Sequence, residues 1–213
     1  MRRNCLRFLM LAVVTTGSIG CGGEPAEPQT AVESAPPAAA PGARTLSIPN
    51  TGAEPETTRH GPLVWDLPTG WTEVQPSSNM RLAQYAVSGS GGDGECVVFY
   101  FGPGQGGDPV ANAQRWAGQF SQPDGSNSLD KMTIQPVDGG ALELSLVEVT
   151  GTYNGGMTTG PTAAKPEPGW MLLGGIAMGP DAPWFFKFTG PQATLEENKE
   201  AFVGLLRSIR QEI

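Results

Sequence analysis

Residues 131–150 read KMTIQPVDGGALELSLVEVT. Asp138-Gly139-Gly140 is a turn signal between two alternating runs, Lys131–Val137 and Leu142–Thr150, and predicts a hairpin. In the second run Leu142, Leu144, Leu146, Glu148 and Thr150 share one face, and Glu143, Ser145, Val147 and Val149 the other. Similar runs recur on both sides. Met80–Val87 and Glu95–Phe101 bracket the Gly/Ser run Ser88–Gly94, and Gly169–Met178 and Pro183–Thr189 bracket Gly179–Ala182. Leu63–Leu67 and Trp71–Val74 flank a turn at Pro68–Gly70.

Two helices are expected among these strands. Asp108-Pro109 offers an N-cap acceptor followed by proline at the first helical position, and Ala113, Trp116, Ala117 and Phe120 follow at helical spacing. A second helix opens at the capping box Thr194-x-x-Glu197 and carries Phe202, Leu205, Leu206 and Ile209 as an apolar stripe. Hairpin strands with two amphipathic helices predict an α+β fold, a mainly antiparallel sheet sandwiched by the helices. All five tryptophans lie after residue 60, which places the single folded domain at 61–213, an ordinary domain size. Core is the expected place for most of them.

The N-terminal part has a different composition. Residues 1–20 present Arg2, Arg3 and Arg7, the apolar run Phe8–Val14, then small residues ending in Ser18-Ile19-Gly20 before Cys21. That order is a secretory leader, and it resembles the lipobox of bacterial lipoproteins, in which the cysteine after the cut is acylated. Ser18 stands where leucine is usual in such families. Small residues at Ser18 and Gly20 also suit ordinary signal peptidase, which leaves Cys21 unmodified. The resemblance implies lipidation at Cys21 and a partner in the membrane itself. Gly22 after the cysteine implies sorting to the outer membrane of a didermic bacterium. Residues 21–60, with seven prolines after Cys21 and few large apolar side chains, read as a disordered tether. As a coil its ends would lie about 30–35 Å apart. No later apolar run approaches the roughly 20 residues that a spanning helix needs.

Charge and cysteine content narrow the function. The chain has 13 Lys and Arg against 21 Asp and Glu, a formal net charge of −8, and loss of the leader would make it more acidic. Nucleic acid is therefore a poor partner. Of three cysteines, Cys5 lies in the leader and Cys21 at the cut, so Cys96 has no disulfide partner. Its strand neighbours Val97 and Val98 mark it as a small buried hydrophobe. A catalytic thiol would want a base, and the sole histidine, His60, sits at the edge of the tether.

Gly102-x-Gly104-x-x-Gly107 follows a strand and precedes a helix, the setting of a dinucleotide fingerprint. Asp108, however, puts a carboxylate where a pyrophosphate would sit, and the preceding strand pairs in a hairpin. Asp130 ends no apolar strand. The run reads as a tight glycine turn. No catalytic set emerges from the sequence, Glu143 and Glu148 face opposite sides of one strand, and neither a cofactor nor a metal is implied.

The order of strands and helices, with Pro68-x-Gly70-Trp71, Met80-Arg81-Leu82-Ala83, Asn112-x-x-Arg115-Trp116-x-x-Gln119 and the run Trp184–Pro191, resembles the PsbP/Mog-like domains of uncharacterised bacterial lipoproteins. The likeness covers 61–213 and implies a non-enzymatic accessory or binding domain. The leading expectation is thus a lipid-anchored accessory protein of the cell envelope that holds or assembles a protein partner. The alternative is a small-ligand-binding lipoprotein. Asn112, Arg115 and Gln119 share a helix face distinct from the apolar one, and an arginine between two amides can clamp a carboxylate. That face can equally be solvated, or Arg115 can tie the helix to the glycine loop. Arg81 and Lys187 are separate strand cations that the sequence cannot place beside it. The loop Gly151–Gly169 is a binding loop or a variable insertion. A carboxylate-based hydrolase ranks third.

Overall fold

Strand β8, Leu144–Tyr153, explains the architecture. Leu144 and Leu146 are buried on one face and Val147 and Val149 on the other, so the strand must be covered on both sides. The structure, a computed structural model, describes residues 57–59, 61–155 and 165–212, all within the unit Pro49–Ile213. Cys21, His60, the leader and most of the tether lie outside the described residues, as do 156–164 of the long loop.

The other strands are β1 (Thr57–Arg59), β2 (Leu63–Asp66), β3 (Trp71–Glu73), β4 (Ala83–Val87), β5 (Gly94–Phe99), β6 (Phe120–Ser121), β7 (Thr133–Pro136), β9 (Glu167–Met178), β10 (Pro183–Pro191) and β11 (Arg210–Gln211). The helices are α1 (Pro109–Ala117) and α2 (Gln192–Ser208). Eight strands form one sheet in the order β3-β4-β5-β10-β9-β8-β6, with β7 also paired to β8. A small sheet, β1-β2-β11, lies apart from it. Every pairing is antiparallel, and the fold is α+β with a helix on each face of the main sheet.

The predicted hairpins β4–β5, β7–β8 and β9–β10 are present. Strands β2 and β3 are not paired, although a turn joins them. Trp71 N donates to Pro68 O at 3.1 Å, but β3 joins β4 at the edge of the main sheet, whereas β2 pairs with β11 from the end of the chain. The sheet also reaches into the stretch assigned to the tether, because Thr57–Arg59 pairs with β2.

The side of the sheet under α2 holds the larger core. Leu195, Phe202, Leu205 and Leu206 of α2 are buried there against Met171, Leu173, Phe186 and Phe188. Each such side chain contributes roughly 1.5–3 kcal/mol relative to exposure, and this packing holds α2 in place. Trp65 crosses edge-on to Phe186, with ring centroids 5.1 Å apart, and its Nε1 donates to Tyr85 Oη at 3.1 Å. Of the five tryptophans, Trp65, Trp71, Trp116 and Trp184 are buried, and Trp170 is half-buried.

The capping box expected at α2 does not form. The helix starts three residues earlier, at Gln192 after an N-cap at Pro191, and Thr194 and Glu197 turn to the β4–β5 loop instead. Thr194 Oγ1 donates to Gly92 O at 2.6 Å, and Glu197 accepts from both the backbone N–H and the hydroxyl of Ser90. At α1 the expected cap is present: Asp108 accepts from Ala111 N at 2.7 Å, with Pro109 at the first position. Nine residues are too few for a helix to persist alone, so α1 depends on burying Ala113, Trp116 and Ala117.

Adjacent glycines in β9 let both helices approach. Successive residues of a strand face opposite sides, and a methyl on Gly174 would collide with the Trp116 ring, one on Gly175 with the Leu206 side chain. Trp116 therefore lies directly on the sheet at Gly174, which sits across from Lys187 of β10.

Candidate functional site

Short α1 covers β8 and β9 and the near edge of β10, leaving part of β10, β5 and β4 open. A cavity of about 350 Å³ lies there, within the usual range for small-molecule sites. Trp116, Phe185, Phe99 and Val97 make its apolar wall, and Met80 and Phe101 line it with largely exposed side chains. The registers that place its polar groups follow from strand parity. Trp184, Phe186 and Phe188 of β10 face α2, so Phe185, Lys187 and Thr189 face the cavity. Gln84, Val97 and Lys187 lie side by side on β4, β5 and β10.

Lys187 is the centre of the site. Its Nζ donates to Gln119 Oε1 at 2.6 Å and to Tyr153 Oη at 3.2 Å, and stands 5.3 Å from the Tyr153 ring centroid. Both partners are neutral, and no carboxylate pairs with Lys187 among the described residues. Burial pushes the Lys187 ammonium down to about 8, with Glu95 opposing and Arg81 adding to the shift. Burial likewise raises the Tyr153 phenol, helped by Glu95, and this keeps it protonated.

Next to this centre, Arg81 Nη1 pairs with Glu95 Oε1 at 2.8 Å. Gln84 bridges the two, accepting from Arg81 at 3.1 Å and donating to Glu95 at 2.7 Å. The pair cancels its own charge, so the cavity's net positive charge comes from Lys187 and Arg115.

Asn112, Arg115 and Gln119, one helix face in the sequence, all line the cavity, but their roles differ. Asn112 is buried, and its amide nitrogen donates to Gly106 O at 2.7 Å and Asp108 O at 3.1 Å. It ties α1 to the glycine loop, the task the sequence offered to Arg115. Arg115 is exposed on the lining and makes no hydrogen bond or ion pair with another described residue. Gln119 lies just beyond the helix and orients Lys187. Arg81 and Lys187 do join the group.

Tyr153, Glu95 and Gln84 were missed as site residues. The available signal was Lys187 itself, a lone cation inside the aromatic run Trp184–Phe188. Tyr153 stacks on Trp170 with ring centroids 5.3 Å apart, beyond a register shift between Gly151 and Tyr153 that breaks simple alternation.

Elsewhere the chemistry is structural. Gly102, Gly104, Gly106 and Gly107 have positive φ, which glycine adopts without strain, and Gly104 N donates to Asp181 O at 2.9 Å. The preceding β5 runs antiparallel to both neighbours, unlike the parallel unit a dinucleotide site needs. Cys96 is fully buried, and burial raises its thiol far above the ordinary range. Glu148 pairs with Lys199 of α2 at 2.8 Å, while Glu143 is exposed. Among the described residues no group of three or more His, Cys, Asp or Glu is placed to hold a metal ion, and no helix is long and apolar enough to cross a membrane.

No family model and no curated protein matches the chain. Among the solved structures similar to it are these three. One is a protein from Bacteroides thetaiotaomicron, 11% identical with a TM-score of 0.40, over 71% of this chain and 45% of that one. The chain therefore spans less than half of that protein's length. Another is the cyanobacterial PsbP of Synechocystis, 9% identical with a TM-score of 0.43, over 78% of this chain and 98% of that one. The third is a Pseudomonas aeruginosa protein of unknown function, 12% identical with a TM-score of 0.37, over 78% of this chain and 90% of that one.

Proposed function

We propose that this chain is a non-catalytic binding protein of the cell envelope, held to a membrane through Cys21, whose folded domain takes a small organic anion with an apolar body. The observation that supports this most is Lys187, a largely desolvated ammonium with two neutral hydrogen-bond partners and no anion in contact among the described residues. A cation in that position is destabilised by burial, and an entering carboxylate would restore its charge partner. Arg115 offers a second cation on the same lining, and Trp116, Phe185 and Phe99 a wall for the ligand's apolar part.

A protein partner remains a second reading of the same surface. Met80 and Phe101 are 67% and 41% exposed at the rim, and would extend contact beyond a small ligand to the chain that carries it.

The test is thermal unfolding of the purified chain with 3-phenylpropionate or the matched cation 3-phenylpropylamine. The anion alone should raise the unfolding midpoint, and Lys187→Met should lose the rise while still folding. Equal response to both compounds, or to neither, would count against the reading.

A further inference from the structure

We propose that Lys187 is a carbonyl-capturing amine and that the cavity takes a 2-oxo acid, held as a reversible imine on Nζ. The proposal rests on the cavity binding an organic anion. It names the ligand's second functional group and the bond it forms.

The chain has four lysines, Lys131, Lys165, Lys187 and Lys199, and only one is placed for this chemistry. Lys199 is paired to Glu148 at 2.8 Å and Lys131 stands 3.8 Å from Asp124, while Lys165 is exposed at the end of the long loop. Lys187 instead lines the cavity and meets the oxygens of Gln119 and Tyr153. The groups around it are Tyr153 on β8, Arg81 before β4, Glu95 on β5 and Arg115 on α1. Its depressed basicity leaves a larger share of neutral, nucleophilic amine near neutral pH, as in lysines that form Schiff bases.

The step balances without an oxidant or reductant. Lys187 first releases one proton to solvent. The nitrogen lone pair then attacks the keto carbon and the carbonyl π pair moves to oxygen. The Tyr153 phenol, 3.2 Å from Nζ, can take the proton that nitrogen sheds while passing its own to that oxygen, giving a carbinolamine. A proton returned from solvent lets the oxygen leave as water and produces the protonated imine. Overall, ammonium and ketone give iminium and water. Arg115, on the same lining as Lys187 and Gln119, supplies a guanidinium for the adjacent carboxylate.

The test treats the full chain with glyoxylate or phenylpyruvate and sodium cyanoborohydride at neutral pH, then maps adducts on all four lysines by peptide mass. The expected result is one adduct at Lys187, formed about tenfold or more faster than at the other lysines. Lys187→Arg should abolish it while keeping the unfolding shift with 3-phenylpropionate. Absence of a Lys187 adduct with both oxo acids, or labelling that follows exposure across Lys131, Lys165 and Lys199, overturns the proposal. If 3-phenylpropionate still raises the unfolding midpoint in that case, only the imine falls. If it does not, the anion-binding reading falls too.

Discussion

Lys187 Nζ donates to Gln119 Oε1 at 2.6 Å, joining residues 68 positions apart. One side chain comes from the middle of a central strand, the other from the second residue past α1. The contact holds the end of that helix over the open part of the sheet and fixes the ammonium in a cavity where its other hydrogen-bond partner is a phenol. The binding reading depends on this arrangement.

The first prediction concerns pH. The Lys187 ammonium is lowered from 10.5 to about 8 in the folded chain. Between these values the unfolded chain binds the proton more often than the folded one, so the stability of the ligand-free protein rises with pH. Chemical unfolding at several pH values should show that rise from about pH 8 to 10, and Lys187→Met should lack it. Above that window the raised Tyr153 phenol opposes the trend, since the unfolded chain then ionises first. Affinity for a carboxylate should fall over the same window as Lys187 loses its charge.

Arg115 and Asn112 should separate function from structure. Arg115→Ala removes an exposed side chain without a described partner, so the stability of the free protein should stay within about 0.5 kcal/mol, while the response to an aromatic carboxylate weakens. Asn112→Ala removes buried hydrogen bonds to Gly106 and Asp108 and should cost about 1–3 kcal/mol. Urea titration of both variants, with and without 3-phenylpropionate, checks the contrast.

Gly174 and Gly175 offer a paired test of which face carries the site. Alanine at either position overpacks one helix contact, Trp116 or Leu206, and should cost roughly 1–3 kcal/mol. Only Gly174→Ala should also impair ligand binding, measured well below each variant's unfolding midpoint. Equal loss in both would detach the site from Trp116.

Thr194→Ala should cost about 1 kcal/mol by releasing the β4–β5 loop, since its hydroxyl is bonded to Gly92 O. Hydrogen exchange should quicken over residues 88–94 while α2 from Leu195 onward stays protected. A true cap would give the reverse.

Local features were legible in the sequence. Asp108-Pro109 marked the start of α1, the Asp138-Gly139-Gly140 turn marked its hairpin, and the glycine run read correctly as a turn, because each depends on neighbours in the chain. Thr194-x-x-Glu197 misled because the spacing is local but the partners, Gly92 and Ser90, are about a hundred residues away. The pairing of β2 with β11 was hidden for the same reason. Within the site, helical spacing grouped Asn112, Arg115 and Gln119, but it could not tell the buried amide of Asn112 from the exposed guanidinium of Arg115. The place of Lys187 beside them depends on sheet order, with β10 between β5 and β9, which no spacing within one strand reveals.

The most direct measurement is an NMR titration of the lysine side chains, without ligand and with saturating 3-phenylpropionate. The account predicts that Lys187 titrates near 8 in the free protein and moves upward with ligand bound, because a carboxylate beside the ammonium favours its charged form. Lys131, Lys165 and Lys199 should stay where they are. A Lys187 that titrates with the other lysines, or that does not move with ligand, would contradict the claim that this cation is the anchor of the site.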